Sequence, residues 1–281
     1  MDAIIKTIKS LKDIIWAIGI VVCIAVLFVG LIIISVPKYH GDKADILYLD
    51  AEEIESAPAQ VSSSAEQDIA SSGSAGAEIG KLTVLPESKD AGQEYLYSLT
   101  FLTDSTMIGL REYGLVTGVW GTDSGSMPFN SLSTAAIKYP GDGSEVSIAD
   151  AAMIAKPAIL VICVGSDGLS SVIKDSFILD YEALIDSILA ASPNTKIILC
   201  SLCSVTNSYT GPDGLNAALM LEANEWIKQV CSDKGAYYAN VCPELCNSGY
   251  LSSAYASSNG KTLSSAGLNI VLDYLKTHAL N

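Results

Sequence analysis

The sequence predicts an α/β fold with a parallel sheet that helices cover on both faces. The segment 158–164 is a continuous apolar run with the length and composition of a strand buried on both sides, and 196–202 repeats the pattern. Helical patterns separate the strand candidates, and strands joined through such helices form right-handed crossover units. In a sheet of this kind the functional groups gather at the carboxyl ends of the strands.

The other elements are predicted in chain order. Strand-like segments cover 95–102 at the start of the domain, 115–120 with less regularity, and 236–241 near its end. Helix-like segments lie between and after the strands, at 105–113, 180–191, 215–231 and 264–278. Together these elements predict one domain over 93–281.

A membrane anchor is predicted near the N-terminus. Residues 14–36 contain no charged side chain and exceed the roughly 20 residues that a membrane-spanning helix needs. A cleaved signal peptide is the alternative, but the run is longer than a signal core, and 37–40 lacks a small-x-small cleavage site. Three lysines within 1–13, against Lys38 and Lys43 after the span, favour a cytoplasmic N-terminus and an extracytoplasmic domain at the cell membrane.

A flexible stalk is predicted over 37–92, which is rich in serine, alanine and glutamate and poor in large apolar side chains. Such a composition buries too little surface to offset its ordering entropy. The chain carries a net charge of −15, and because 1–36 hold three lysines and two aspartates, the remainder carries −16. An acidic exterior part argues against a nucleic-acid partner, which would need a basic face. The oligomeric state stays open.

A serine follows the first predicted strand of the domain. The order Thr103-Asp104-Ser105 places it between an apolar strand and a helix, where a nucleophile at the top of a parallel sheet would lie. Serine and aspartate are also ordinary helix N-caps, so these residues taken alone favour capping.

Three segments in the right order resemble sequence blocks of the SGNH (GDSL) hydrolases. The segment 101–110, Phe-Leu-Thr-Asp-Ser-Thr-Met-Ile-Gly-Leu, resembles the first block, with Thr103 where the family usually has Gly. Val-Gly-Ser-Asp-Gly at 164–168 resembles the third block, and Asn-Gly-Lys-Thr-Leu-Ser-Ser-Ala-Gly at 259–267 resembles the fifth. The likeness covers 95–281. It implies a flavodoxin-like three-layer sandwich with Ser105 at the nucleophile position.

The same resemblance implies an incomplete catalytic set. Asp167 stands at the position of the family's oxyanion-binding Asn, Asn259 at that of its Asp, and Thr262 at that of its His. A carboxylate repels an oxyanion, and a threonine hydroxyl is no general base near neutral pH. The chain's two histidines, His40 and His278, both lie outside the fifth block.

Four further residues are candidate ligand-binding positions by the same resemblance: Asp104, Gly121, Gly125 and Gly165. The second-block oxyanion donor is either Gly121 or Gly125, and a plain turn explains both glycines equally well. Three nearby apolar side chains line a ligand groove or, as we favour, belong to the core: Trp120, Met127 and Phe129.

Six of the seven cysteines lie outside the predicted anchor, where disulfides are permitted: Cys163, Cys200, Cys203, Cys231, Cys242 and Cys246. If the strands near 200 and 240 are neighbours, a bridge from Cys203 to Cys242 or Cys246 is expected. The pairs at 200/203 and 242/246 could also supply four zinc ligands, but their long separation disfavours zinc. We therefore predict no metal site and no cofactor.

The leading interpretation is a single-pass membrane protein that displays an SGNH-hydrolase-like domain with impaired catalysis. Its role would be binding or accessory work at the cell surface, and the resemblance implies acylated or glycan ligands. One alternative is an active serine esterase or deacylase that uses Ser105 with Asp104 or Asp167 as a substitute base. Another is a structural or assembly partner without a ligand.

Overall fold

A parallel sheet organises residues 77–280, the part of the chain that the computed structural model describes. The strands of this part are β1 (Thr83–Val84), β2 (Leu99–Thr103), β3 (Val119–Trp120), β4 (Ala136–Lys138), β5 (Glu145–Ser147), β6 (Ile159–Cys163), β7 (Lys196–Cys200), β8 (Tyr237–Ala239), β9 (Cys246–Asn247) and β10 (Tyr250–Leu251). Within 77–280 six of them form the sheet, in the order β1-β8-β7-β6-β2-β3 with every pair parallel. The predicted α/β fold with a parallel sheet is confirmed.

Helices cover both faces of the sheet and make three layers. The helices of the described part are α1 (Gly92–Ser98), α2 (Gly109–Glu112), α3 (Ile148–Ala155), α4 (Lys174–Ala191), α5 (Ala217–Lys234), α6 (Cys242–Leu245) and α7 (Ser265–Thr277). One apolar core joins α3, α4 and α5 to one face, and a second joins α1, α2 and α7 to the other. The central strands therefore alternate between two cores. In β2, Phe101 belongs to the second core and Leu102 to the first.

The first strand begins later than its pattern predicts. Residues 92–98 form α1 instead of the start of a strand, and β2 begins at Leu99. The Asp90 carboxylate accepts the N–H of Gly92 at 2.7 Å at the start of this helix. Of the residues in α1, Leu96 is the buried one, whereas Tyr97 is exposed, which suits a surface helix better than a strand buried on both sides.

The sheet also takes in residues that the sequence analysis assigned to the stalk. Thr83 and Val84 pair in parallel with β8, and the N–H of Leu85 donates to the Tyr238 carbonyl at 2.9 Å. Leu85 is 3% exposed. The predicted boundary at 92/93 is therefore wrong, because an apolar side chain within the last part of 37–92 packs into the core.

The segments predicted as a cytoplasmic N-terminus (1–13) and a membrane anchor (14–36), and most of the predicted stalk, lie outside the described residues, as does His40. In 77–280 no helix combines the length and the apolar character that crossing a membrane requires. The membrane anchor stays a prediction.

Candidate active site

The first-, third- and fifth-block positions meet at the carboxyl edge of the sheet. Ser105 follows β2 and Asp167 follows β6, and these strands are direct neighbours with Thr103 paired to Cys163. The fifth-block loop reaches them from the start of α7, where the N–H of Leu263 donates to the Thr106 carbonyl at 2.9 Å.

Asp167 is the centre of this site. The Ser105 hydroxyl donates to its Oδ1 at 2.5 Å. Its Oδ2 accepts two backbone N–H groups, from Ser105 at 3.1 Å and from Met127 at 2.9 Å. The side chain is 6% exposed. A carboxylate of the protein itself is thus bound by the nucleophile-position serine and by two converging N–H donors.

Lys261 balances this buried charge. Its ammonium lies 3.1 Å from Asp167 Oδ1 and 3.1 Å from Asp213 Oδ2. Asp213 also accepts the Tyr209 hydroxyl at 2.7 Å and the Leu215 N–H at 3.2 Å. The result is a continuous polar chain from Tyr209 to Ser105.

The pKa values of Asp167 and Lys261 are set by two opposing effects. Burial disfavours the charged forms, whereas hydrogen bonds and opposite charges favour them. Burial disfavours the charged form of Asp167, but the hydrogen bonds from Ser105 and Met127 and the charge of Lys261 outweigh it and lower the pKa of this carboxyl. For Lys261 burial also opposes the charge, and the carboxylates of Asp167 and Asp213 outweigh it and raise the pKa of the amine. Near neutral pH the Lys261 ammonium holds its proton and cannot accept another, and the ionised Asp167 carboxylate is a weak base because its pKa is lowered.

Asn259 and Thr262 are engaged with each other. The Asn259 amide donates to Thr262 Oγ1 at 2.9 Å, and its Oδ1 accepts the N–H groups of Lys261 at 3.0 Å and Thr262 at 2.9 Å. Thr262 Oγ1 lies 3.4 Å from the Ser105 carbonyl oxygen. Gly267 is the last residue of the block. A side chain there would clash, because a Cβ would lie 2.5 Å from the Tyr255 carbonyl oxygen. The fifth block therefore lies beside Ser105, although it has Asn259 and Thr262 where the family that it resembles has Asp and His.

Several solved structures are similar to this chain. The described part is a three-layer α/β domain with a parallel sheet of six strands. Among solved structures, a putative platelet activating factor from Streptococcus pneumonia is similar at 18% identity and a TM-score of 0.49, covering 66% of this chain and 84% of that one. A GDSL-like lipase from Bacteroides thetaiotaomicron is similar at 14% identity and a TM-score of 0.47, covering 66% of this chain and 89% of that one. A carbohydrate esterase family 3 protein from Talaromyces cellulolyticus is similar at 16% identity and a TM-score of 0.43, covering 63% of this chain and 93% of that one.

No known family profile matches the chain, and no curated protein matches it. The solved structures above are similar at TM-scores below 0.5, and no conclusion is drawn from them. Nothing about activity or ligands is taken from them.

Asp104, a candidate ligand-binding residue, is enclosed within the domain. It is fully buried, and its Oδ1 accepts the N–H and hydroxyl of Thr106 at 2.9 and 2.6 Å. Its Oδ2 accepts the N–H groups of Gly165 and Ser166 at 3.1 and 3.0 Å and the Ser166 hydroxyl at 2.5 Å. Burial and then the charge of Asp167 raise the pKa of Asp104. The carboxylate ties the β2 loop to the β6 loop and is too enclosed to reach a ligand.

Each of the three candidate glycines takes part in a hydrogen bond within the domain. The N–H of Gly165 is committed to Asp104, and its φ of +130° lies where side chains are strained. A Cβ on Gly125 would stand 2.0 Å from Ile108 Cδ1, and the Gly125 N–H donates to the Thr122 carbonyl at 3.2 Å. Gly121 is buried, and its carbonyl accepts the Lys138 N–H of β4.

The donor that joins Ser105 at Asp167 is therefore the N–H of Met127, which the sequence analysis did not single out. The three nearby apolar side chains belong to the first core, as favoured, with exposures of 2% or less: Trp120, Met127 and Phe129.

His278 lies far from the serine. It follows the last residue of α7, whose first residue adjoins the Ser105 loop, and a helix of 13 residues is about 20 Å long. Its ring stacks on Tyr274 with 3.9 Å between ring centroids. It cannot replace the missing fifth-block histidine.

The cysteine pairing differs from the expectation. All six cysteines of the described part are free thiols, and Cys203 is buried without a bridge to Cys242 or Cys246. The close pair is Cys242 and Cys246, whose sulfur atoms are 3.2 Å apart. Among residues 77–280 no cluster of three or more His, Cys, Asp or Glu side chains is arranged to hold a metal ion.

Three side chains of the site escaped the sequence analysis: Tyr209, Asp213 and Lys261. Lys261 stands inside the quoted fifth block, between the two altered positions, so its charge was a usable signal. Tyr209 and Asp213 lie in the long connection between β7 and α5, for which no motif indicates an approach to Ser105.

Proposed function

We propose that this chain is a membrane-tethered binding or accessory protein whose SGNH-hydrolase-like domain no longer hydrolyses esters. The observation that carries the proposal is the occupancy of the oxyanion donors. The N–H of Ser105, which the family resemblance assigns to oxyanion binding, already donates to Asp167 together with the N–H of Met127. Donors saturated by a fixed carboxylate cannot stabilise the developing charge of an acyl-transfer transition state.

Within residues 77–280 no side chain near Ser105 is suited to act as its general base, which supports the same proposal. The Ser105 hydroxyl donates its hydrogen bond to Asp167, a carboxylate whose lowered pKa makes it a weak base. Asp104 has all its contacts with Thr106, Gly165 and Ser166 and none with Ser105. The nearby amine, Lys261, holds its proton because its pKa is raised.

The ligand class and the location rest on the sequence. The family resemblance favours an acylated or glycan ligand at the carboxyl edge of the sheet, where Lys261 and Tyr209 are partly exposed and Asn259 is exposed. The charge-free run 14–36 and the lysines before it favour attachment to the outer side of a cell membrane.

The decisive experiment exposes the full-length chain to a fluorophosphonate probe and a short-chain aryl ester. We expect neither covalent labelling nor turnover above buffer. The matched control is Ser105→Ala, which should behave identically. Labelling and turnover in the natural chain that disappear in Ser105→Ala would overturn the proposal.

A gain-of-function variant tests the physical reason for the inactivity. Combining Asp167→Asn, Asn259→Asp and Thr262→His removes the blocking carboxylate and supplies a base with its partner. Lys261 keeps Asp213 as its counter-ion. We expect probe labelling that requires Ser105, with the same triple variant carrying Ser105→Ala as the control. Silence from a folded triple variant would show that more than these polar groups is missing.

The rival function, an active esterase, has one observation in its favour. The 2.5 Å hydrogen bond between Ser105 and Asp167 is what a carboxylate base for the serine would make. On that reading Asp167→Asn abolishes turnover, whereas on ours there is no turnover to abolish. Binding to arrays of glycans and acylated glycans separates a ligand-binding role from a purely structural one, which predicts no binding.

A further inference from the structure

Cys242 and Cys246 form a thiol pair at the carboxyl edge of the sheet, away from Ser105. Cys242 is the first residue of α6 and Cys246 follows its last residue. Their sulfur atoms are 3.2 Å apart. Since a disulfide bond is about 2.05 Å long, a shift of about 1 Å between the two sulfurs would join them.

The pair can be reached from solvent. It lines an open pocket of about 290 Å³ together with Glu225 and Lys228 of α5 and Tyr238 of β8. Cys246 is partly exposed, whereas the other five cysteines of the described part are buried. A small reagent can therefore contact the sulfur of Cys246 first.

Cys246 is also the reactive member of the pair. The hydrogen bond from the Cys242 thiol, opposed by burial and assisted by the Ser204 N–H, lowers the pKa of Cys246 to about 7. The same bond and burial raise the pKa of Cys242, the donor. Burial raises the pKa of Cys203 and of Cys231. Only a thiolate attacks a disulfide, so reaction should start at Cys246.

We propose that Cys242 and Cys246 are a redox-active dithiol that a low-molecular-weight disulfide oxidises to an intramolecular disulfide. The Cys246 thiolate attacks one sulfur of the small disulfide, forms a mixed disulfide and releases a thiolate that takes up a proton. Cys242 then loses its proton and attacks Cys246 Sγ, which breaks the mixed disulfide and releases the second thiol. Two electrons pass from the protein pair to the small disulfide, which is reduced to two thiols.

This site is independent of the proposed function. Cys242 follows β8 and Ser105 follows β2, and two strands of the sheet, β6 and β7, lie between them. An active Ser105 would leave the dithiol proposal standing, and an unreactive dithiol would leave the proposed function standing.

The test uses the reduced full-length chain and oxidised glutathione, followed by non-reducing peptide mapping with mass spectrometry. We expect one new product, in which the peptide that holds Cys242 and Cys246 is lighter by about 2 Da because both thiol hydrogens are lost. Cys163, Cys200, Cys203 and Cys231 should remain free. A bridge to Cys203, a glutathione adduct that persists in the natural chain, or no reaction would each overturn the proposal.

Two variants and a control separate the roles of the sulfurs. Cys242→Ser should trap a stable glutathione adduct on Cys246, because the resolving thiol is gone. Cys246→Ser should lose the reaction at this pair. The control is Cys231→Ser, which removes a buried thiol of α5 that is not part of the pair. This variant should react as the natural chain does. An adduct on Cys242 in the Cys246→Ser chain, formed at an undiminished rate, would contradict the assigned order of attack.

Discussion

Lys261 is the residue on which the charge balance of the occupied site depends. Among residues 77–280 it is the one ammonium in contact with Asp167, and it also contacts Asp213. We expect Lys261→Met to lower the free energy of unfolding by about 2–3 kcal/mol, since a buried carboxylate left without its partner is costly. Urea unfolding of the full-length chain measures this.

The control is Lys276→Met, which breaks a 2.8 Å pair with Asp273, whose side chain is 63% exposed. That pair should contribute within about 0.5 kcal/mol, as surface pairs do. Adding Asp167→Asn to Lys261→Met should recover part of the loss, because the stranded charge is removed as well. Equal effects of the two lysine substitutions would contradict a buried ion pair at Ser105.

The stability gap between the natural chain and Lys261→Met should depend on pH. Pairing lowers the pKa values of Asp167 and Asp213, so their contribution is present above the unfolded value of about 3.9 and is lost as the pH falls through the lowered folded values. The raised pKa of Lys261 acts in the other direction, since its contribution is complete below about 10.4 and is lost as the pH rises through the folded value.

Urea unfolding of both proteins from pH 3 to pH 10 should therefore show the widest gap near neutrality and a closing gap below about pH 4. The comparison cancels carboxyl groups that titrate alike in the two proteins. A gap that stays constant through the acid range would mean that Asp167 and Asp213 do not owe their lowered pKa values to Lys261.

At the scale of elements, β1 decides where the domain begins. Leu85 follows this edge strand and is buried against the second core. Leu85→Ala should lower the free energy of unfolding by about 2–3 kcal/mol, the usual cost of truncating a buried leucine. Val84→Ala is the matched control, because Val84 is 45% exposed and should matter little. If residues 77–91 were part of a flexible stalk, both substitutions would be neutral in urea unfolding.

The elements also show which parts of the fold the sequence could predict. The segments 158–164 and 196–202 predict β6 and β7 correctly because strands buried on both faces are rich in apolar residues. Residues 95–98 were misassigned because tyrosine and leucine suit a strand as well as a helix packed on one side. The β4–β5 hairpin was missed because its strands are three residues each and largely solvent-facing.

For the candidate site, order along the chain located Ser105, Asp167 and Thr262 but gave none of their contacts. The occupancy of the donors depends on the backbone N–H of Met127, and no residue type reveals a backbone direction. Likewise, the approach of Asp213 to Lys261 joins two loops 48 positions apart. Such contacts follow from packing between elements and not from local pattern.

At the scale of the whole molecule, charge and attachment make one consistent arrangement. The part after residue 36 carries a net charge of −16, and the ammonium of Lys261 is held inside by two carboxylates instead of being offered to an acidic surface. This charge is shared between the predicted stalk and the domain, and anionic headgroups repel both, so a long stalk that keeps the domain clear of the lipid suits the molecule.

The predicted topology can be tested on intact cells that produce the full-length chain with a C-terminal tag. Protease added outside should cut within 37–76, ahead of β1, and release a tagged fragment, because that composition predicts exposed backbone and the domain that follows is folded. Cells without protease, and cells lysed before treatment, serve as controls. A tag that is protected until lysis would place the domain on the inner side. Release of the domain without protease would favour a cleaved signal peptide over a retained anchor.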